Sequence, residues 1–205
     1  EMFSLILDQP PGATAETGRP YPHFRFGGYA AFNPAYADIL QRADDNGMTL
    51  CGLWGMSEMQ ALYSLQDPAA DVEKRLRAGG RTTSPQAMVR VRDPESGKIL
   101  PHGESGEIEA SGPSRMKEYF GDPAATAKAV TEDGYVRTGD LGYTISDTAF
   151  VFLSRMGDVL RLGGFLVNPA EIEAQLESHD SVGEAQVVGV DTEAGTRAWA
   201  FVIPA

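Results

Sequence analysis

The sequence predicts a mixed α/β fold, in which an α/β-type start is followed by a β-rich middle and a second helix-and-strand unit. Two observations predict it. Asp-Pro and Asn-Pro helix starts recur along the chain, and short strand-like runs lie between them. The pattern changes near residue 80 and again near residue 158. These changes divide the chain into segments 1–79, 80–156 and 157–205.

The helix starts share one arrangement, a side chain that can cap the helix followed by proline at the first helical position. The arrangement occurs at Asn33-Pro34, Asp67-Pro68, Asp122-Pro123 and Asn168-Pro169. The last case also has Glu171 three residues after the asparagine, as in a capping box. A helix is therefore expected after each of these pairs.

The strand signals are alternation and short apolar runs. Residues 87–93 alternate, and residues 106–110 and 150–153 are further short strands. Residues 159–167 read as a hairpin around Gly163-Gly164. Two strand-like runs, EAQVVGV and RAWAFVI, follow the last predicted helix.

Composition excludes several classes of function. The 205 residues carry a net charge of −12 with scattered positive residues, which disfavours a nucleic-acid partner or an acidic membrane surface. The single cysteine, Cys51, excludes an internal disulfide framework, and the three histidines lie far apart. No apolar run approaches the roughly 20 residues that span a bilayer. Both ends look cut, so a segment of a soluble cytoplasmic protein is expected.

Four motifs could carry chemistry. The first is WGMSE, Trp54 to Glu58, after an apolar run. A strand ending in a glycine turn can offer N–H groups and a hydroxyl to a phosphate, a carboxylate can hold magnesium and an aromatic ring can stack on a base. Taken alone, the motif fits a plain turn with a packed Trp and a surface Glu better than a nucleotide site. The second, GESGEI at 103–108 followed by KEYF at 117–120, reads by itself as a hairpin and a loop.

The third motif is VRTGDLG, in which Asp140 follows a tight Thr-Gly turn. Such an Asp can accept hydrogen bonds from both hydroxyls of a ribose, or can cap local backbone amides. The fourth is SRMGDVLRLGG followed by NPAEIE. Its Arg155 could bind ribose or phosphate oxygens with a planar fork, or form a surface ion pair with an Asp.

The order and spacing of these motifs resemble those of the adenylate-forming (AMP-binding) superfamily, most closely its acyl- and aryl-CoA synthetases. The resemblance runs from about Phe24 to the end of the chain. It implies that segments 1–79 and 80–156 are the end of an α/β subdomain and a small β-barrel-like subdomain of the AMP-binding domain. It implies that segment 157–205 is the hinge and first part of a C-terminal lid domain.

The resemblance also implies a reaction. A carboxylic acid and ATP give an acyl-adenylate and pyrophosphate with Mg²⁺, and the acyl group then passes to CoA. The implied catalytic residues are Ser57 near the α-phosphate, Glu58 as the magnesium ligand and Arg155 at ribose and phosphate. The implied ligand-binding positions are Gly28, Tyr29, Trp54 beside the adenine, Gly55, Met56, Asp140 at the ribose, Arg155 and, at the CoA arm, Gly164.

The hinge position is Gly157, where Asp or Lys is more usual in the family, and Tyr29 stands where a small residue is common. The family's phosphate loop and its C-terminal catalytic Lys have no counterpart in the sequence. The chain alone is therefore expected to lack adenylation activity. Surface exposed by the cuts makes a homodimer possible. The alternatives are a peptide-synthetase adenylation domain, a non-catalytic nucleotide-binding paralogue and an α/β domain with chance motifs.

Overall fold

The computed structural model describes residues 2–8, 21, 23–30, 39–162, 165–192 and 195–205. Their helices are α1 Met2–Leu7, α2 Ile39–Asp45, α3 Val72–Arg75, α4 Pro123–Ala129 and α5 Pro169–Glu177. Their strands are β1 Gly27–Tyr29, β2 Leu50–Trp54, β3 Ser64–Leu65, β4 Gly79–Thr82, β5 Met88–Arg92, β6 Gly106–Ser111, β7 Val136–Ser146, β8 Ala149–Arg155, β9 Leu160–Leu162, β10 Phe165–Val167, β11 Val182–Thr192 and β12 Gly195–Pro204. The mixed α/β fold is confirmed.

The first eight strands form one sheet, in the order β1-β2-β3-β4-β8-β7-β6-β5. The β1–β2 pair is parallel and the other pairs are antiparallel. The described strands do not close into a barrel, and β5 to β8 continue the sheet that β1 to β4 begin. β4 itself crosses residue 80, and the division into three domains stays a prediction.

The helix starts were predicted with mixed success. Asp122 and Asn168 cap α4 and α5, accepting hydrogen bonds from the N–H groups of Ala125 at 2.8 Å and Ala170 at 3.1 Å. The helix expected after Asp67-Pro68 was placed too early, because Asp71 caps α3 by accepting from Lys74 N–H at 3.1 Å. Asp67 closes a turn instead. The Asn33-Pro34 signal lies outside the described residues.

Two hydrophobic clusters hold the sheet. One lies under α2 and is formed by Ile39, Leu40, Ala43, Met48 and Leu50. The other lies inside the β-rich part and is formed by Trp54, Met59, Tyr63, Ala87, Val89, Val91, Ile108, Ala110, Val136 and Phe150. We call this second set the sheet core. It is built from the inward-facing positions of strands such as β5, whose residues alternate between exposed or half-buried and buried.

Beyond β8 the chain forms two further hairpins. β9 and β10 pair with Leu160 opposite Val167, as expected from the sequence, although Gly163 and Gly164 lie outside the described residues. β11 and β12 pair over their whole length, from Val182–Pro204 to Thr192–Gly195. α5 packs on β11, where the Glu173 carboxylate accepts a hydrogen bond from Val187 N–H at 2.7 Å. Among the described residues no helix combines the length and the apolar character that a membrane span needs.

Candidate functional site

The WGMSE motif forms a tight turn directly after β2. A Cβ at Gly55 would lie 1.3 Å from the backbone oxygen of Ala61, so only glycine fits there. Gln60 and Ala61 both have positive φ, 58° and 72°, which costs free energy for residues other than glycine. Hydrogen bonds from the N–H groups of Ala61 to Met56 O (3.0 Å) and of Tyr63 to Trp54 O (3.1 Å) hold this shape. Ser57 and Glu58 are thereby presented at a strained, well-defined turn.

The segment after β6 closes over this turn and contacts Glu58. The N–H of Met116 donates to the backbone oxygen of Glu58 at 2.7 Å. The Tyr119 hydroxyl donates to Glu58 Oε1, also at 2.7 Å, and this hydrogen bond raises the pKa of Tyr119. Tyr119 belongs to the KEYF motif, to which the sequence alone gave no role. The order of the motifs was the only signal that KEYF and WGMSE would meet.

The third and fourth motifs meet on neighbouring strands. Asp140 on β7 is directly opposite Arg155 on β8, and the two side chains form an ion pair with 2.9 Å between Arg155 Nη1 and Asp140 Oδ1. Asp140 is buried with 3% of its side chain exposed, whereas 60% of the Arg155 side chain is exposed. The sheet register thus brings the two residues together, and their roles at a ribose stay predictions.

The turn before Asp140 is held from both sides. The Thr138 hydroxyl donates to Ile108 O at 2.8 Å and accepts from the N–H of Asp140 at 3.1 Å. Gly139 has a φ of 67°, and its N–H donates to Glu107 Oε1 at 3.3 Å. Burial raises the pKa of Glu107, which the sequence analysis did not single out because GESGEI alone reads as a hairpin. Glu107 supports the turn that presents Asp140.

Trp54 connects the WGMSE turn to the pair formed by Asp140 and Arg155. Its indole Nε1–H donates to Asp140 Oδ2 at 2.8 Å. The ring belongs to the sheet core and is 4% exposed, with the rings of Tyr63 and Phe150 edge-on at centroid distances of 5.5 and 5.4 Å. The ring is therefore enclosed by the sheet core in this structure. Its expected place beside an adenine stays a prediction.

Burial of the Asp140 carboxylate and its polar partners have opposite effects on its pKa. Burial raises its pKa, while the hydrogen bond from Trp54 and the charge of Arg155 act in the opposite direction. Oδ1 is buried and, despite the nearby Arg155 charge, has no well-aligned hydrogen bond among the described residues. This oxygen keeps acceptor capacity for a ligand hydroxyl.

Two further expected ligand positions lie on β1. A Cβ at Gly28 would come within 2.6 Å of Leu53 Cδ2, so the small residue allows the packing of β1 on β2. The Tyr29 hydroxyl donates to Leu76 O at 3.1 Å, and burial raises the pKa of Tyr29 to about 12. The Tyr29 ring packs against the cluster under α2. The Tyr29 side chain is therefore engaged in the protein interior, and its role as a ligand-binding position stays a prediction.

Comparison with known proteins supplies the family. A match to the family described as "AMP-binding enzyme" covers residues 1–120, more than half of the chain. The chain belongs to the AMP-binding enzyme family. It is most like the family's acyl- and aryl-CoA synthetases: a 4-coumarate–CoA ligase of Pinus taeda is 35% identical over 152 residues. That match covers 73% of this chain and 28% of the ligase, so the chain spans little more than a quarter of this relative's length.

Solved structures agree with this assignment. ATP-bound MatB of Rhodopseudomonas palustris superposes with a TM-score of 0.70 at 32% identity, covering 88% of this chain and 35% of that one. The o-succinylbenzoate CoA synthetase MenE of Bacillus subtilis, in complex with ATP and magnesium ion, gives 0.74 at 27% identity, covering 98% and 39%. The described arrangement of strands is thus that of an adenylate-forming enzyme.

The remaining expected ligand and hinge positions are Met56, Gly157 and Gly164. Met56 is half-buried and packs on the sheet core. Gly157 follows β8 in a turn closed by a hydrogen bond from Asp158 N–H to Arg155 O at 3.0 Å, and a Cβ there would meet no atom within 4 Å. Its role as a hinge stays a prediction. Gly164 lies outside the described residues.

A magnesium ion fits Glu58. The described residues contain no group of three or more His, Cys, Asp or Glu side chains placed to hold a metal ion by themselves. Mg²⁺ does not need such a group, since it commonly takes one or two carboxylates and completes its shell with water and substrate phosphates. Glu58 is half-buried, and Tyr119 fixes its Oε1. Its Oε2 makes no hydrogen bond to the part of the chain that the structure describes, so it remains available as a ligand.

Proposed function

We propose that this chain provides the ribose- and magnesium-binding part of an ATP-dependent acid–CoA ligase. The observation that carries the proposal is the buried Asp140 carboxylate, ion-paired to Arg155 and reached by the indole of Trp54 from the WGMSE turn. A buried carboxylate with acceptor capacity left over suits two neighbouring hydroxyls, as on a ribose. The likeness to 4-coumarate–CoA ligases and to ATP-bound CoA synthetases supports the same assignment.

The proposed reaction has two steps. A carboxylate oxygen of the acid forms a bond to the α-phosphorus of ATP, and the bond from that phosphorus to the pyrophosphate oxygen breaks. The thiol sulfur of CoA then bonds to the acyl carbon, AMP leaves and the thiol proton is released. Neither step needs a nucleophile from the protein, which agrees with the absence of a Ser–His or Cys–His motif in the sequence.

The chain's own groups have separable tasks in this proposal. Asp140 and Arg155 hold the ribose, and Arg155, whose side chain is largely exposed, also reaches phosphate oxygens with its planar guanidinium. The hydroxyl of Ser57, which is exposed at the turn, donates a hydrogen bond to the α-phosphate. Glu58, oriented by Tyr119, holds Mg²⁺. When bound, Mg²⁺ supplies positive charge that offsets charge developing on the phosphates.

The test is exchange of labelled pyrophosphate into ATP by the full-length protein, with a panel of fatty and aromatic acids. At least one acid should support exchange. Asp140→Asn should raise the KM for ATP about 10- to 100-fold, because a hydrogen bond to a charged group contributes about 1.5–3 kcal/mol. Asp122→Asn, a matched change at the exposed cap of α4, should leave the KM unchanged. Absence of exchange with every acid would refute the ligase assignment.

CoA is the acceptor that the likeness to 4-coumarate–CoA ligases favours over the thiol of a carrier protein. A coupled assay that follows thioester formation should show product with free CoA. Product formed only with a pantetheine-bearing carrier protein would instead indicate a peptide-synthetase type of adenylation domain. The protein is proposed to lie in the cytoplasm, and neither assay tests this location.

A further inference from the structure

We propose that Trp54 is a positioning residue: its indole N–H fixes the Asp140 carboxylate so that Asp140 meets the ribose hydroxyls. This role differs from stacking on a base, and it rests on the nucleotide binding proposed above. The inference begins with the contact itself. Trp54 Nε1 lies 2.8 Å from Asp140 Oδ2, and both residues are almost fully buried. An indole has a single hydrogen-bond donor, so this contact uses the whole polar capacity of the side chain.

The ring that carries this donor is held in place. Tyr63 and Phe150 meet it edge-on, with interplanar angles of 81° and 83°. Tyr63 is itself anchored, since its hydroxyl lies within hydrogen-bond distance of two carbonyl oxygens, Met88 O at 2.6 Å and Ser111 O at 3.0 Å. The indole therefore cannot rotate without displacing the sheet core. Its N–H is a fixed donor, which is the property needed of a group that orients another side chain.

The two oxygens of the Asp140 carboxylate have different neighbours. Oδ2 accepts from Trp54, whereas Oδ1 lies near the Arg155 guanidinium and keeps unused acceptor capacity. The charged groups facing this region are Arg155 from β8 and Glu107 from β6, the latter through the N–H of Gly139. Without the indole N–H, Oδ2 would be a buried acceptor lacking its partner, and the carboxylate would turn towards Arg155. The hydroxyl-binding geometry would then be lost although Asp140 remained.

A binding experiment can distinguish an effect of Trp54 on the ribose hydroxyls from direct contact with the base. Kd values for ATP and for 2′,3′-dideoxy-ATP would be measured with the wild type, Trp54→Phe and Phe150→Leu. Trp54→Phe keeps an aromatic ring and removes the N–H. We expect it to weaken ATP binding about 5- to 30-fold and to leave dideoxy-ATP nearly unchanged, because only ATP offers hydroxyls to Asp140. Phe150→Leu removes comparable volume from the same cluster and should not discriminate between the two nucleotides.

The opposite pattern would overturn the proposal. An equal loss for both nucleotides in Trp54→Phe indicates contact with the base, and no loss for either indicates that the hydrogen bond has no role in binding. A double variant with Asp140→Asn adds a second criterion. If Trp54 acts through Asp140, the two fold-changes for ATP should not multiply.

A nucleotide-free measurement keeps the inference testable if Trp54→Phe does not fold. The indole N–H resonance of Trp54 in the wild-type protein should shift as Asp140 titrates, and this titration should be absent in Asp140→Asn. Trp199, exposed on β12, provides an internal reference resonance. A Trp54 resonance that does not respond to Asp140 overturns the inference alone. A titrating resonance in a wild type that binds neither nucleotide overturns the proposed function, and the ribose-positioning role with it.

Discussion

The β7–β8 hairpin and the β11–β12 hairpin are both long antiparallel pairs, yet they bury very different amounts of side chain. Along β7 most residues are buried or half-buried, and Phe150 of β8 is 0% exposed. Along β12 nearly every residue is exposed, including Trp199 at 56% and Phe201 at 63%. Backbone pairing is thus similar in the two hairpins, and what distinguishes them is a layer of side chains on the sheet face.

This difference explains where the chemistry lies. A buried, fixed carboxylate such as Asp140 needs neighbours packed on several sides, which the sheet core provides. The β11–β12 hairpin has α5 on β11 but leaves an apolar surface around Trp199, Phe201 and Ile203 exposed. An exposed apolar patch of this kind favours association with other surfaces. The proposed site therefore depends on the first hairpin and its sheet core.

The largest predicted contrast uses one substitution in both hairpins. Phe150→Ala should lower the free energy of unfolding by about 3–5 kcal/mol, because it removes a ring from the sheet core and leaves a cavity. Phe201→Ala, at an exposed position, should change it by less than about 0.5 kcal/mol. Urea unfolding followed by circular dichroism checks both. Similar losses at the two positions would mean that β12 is as well packed as β8, contrary to the exposures above.

A second pair compares buried and exposed carboxylates. Glu109 on β6 is 0% exposed and accepts from Arg90 Nε at 2.5 Å and Arg92 Nε at 2.6 Å. Glu109→Gln should cost about 3 kcal/mol of stability, since two largely buried guanidinium groups lose their counter-charge. Glu177→Gln on α5 should cost under about 1 kcal/mol, because the amide oxygen can still accept from Ala185 N–H. Equal effects in urea unfolding would argue that the Glu109 network is solvated.

The third prediction concerns how much the buried Asp140 carboxylate of the β7–β8 hairpin lowers the stability of the protein. Burial raises the pKa of Asp140 above its ordinary value of 3.8, so the folded state binds its proton more readily than the unfolded state. The corresponding stability is present below pH 3.8 and is lost as the pH rises through the folded pKa. Asp140→Asn, which stays neutral, should therefore equal or exceed the wild type in urea midpoint at pH 7. The difference should shrink as the pH falls towards 4.

The control for this third prediction is Asp122→Asn, whose carboxylate lies at the exposed start of α4, so that the substitution removes no buried charge. A lower midpoint for Asp140→Asn at pH 7 would show that the ion pair with Arg155 outweighs the burial. The same variant is expected to bind ATP poorly. Stability and binding should thus change in opposite directions at this position, as is common for functional residues.

Much of this architecture could be predicted from local sequence. The caps at Asp122 and Asn168 act over three residues, and the alternation of β5 reports its buried face directly. The start of α3 was misplaced because Asp67 and Asp71 are both suitable caps, and the choice depends on tertiary packing. The membership of Asp140 and Arg155 in one site followed from motif order.

The remaining features depend on contacts between distant parts of the chain. Trp54 and Asp140 are 86 residues apart, so WGMSE alone allows a packed Trp but does not indicate that its indole N–H reaches Asp140. The Tyr119–Glu58 hydrogen bond spans 61 residues and requires the segment after β6 to fold back. The Tyr29 hydroxyl reaches Leu76 O, 47 residues further along the chain, because α3 packs beside β2. Sequence motifs identified the residues, whereas packing determined their orientation.

The register of β7 and β8 has a consequence for how this hairpin can vary in evolution. The irregularities between Leu141 and Gly142 and between Thr144 and Ser146 shift the ladder in opposite directions, so Asp140 faces Arg155 in the same register as Ser146 and Ala149 at the tip. Each inserted or deleted residue would shift one strand by about 3.4 Å and turn its side chains to the other face. Homologues that bind nucleotide here should therefore keep the number of residues between these two positions constant, even where the residues at the hairpin tip differ.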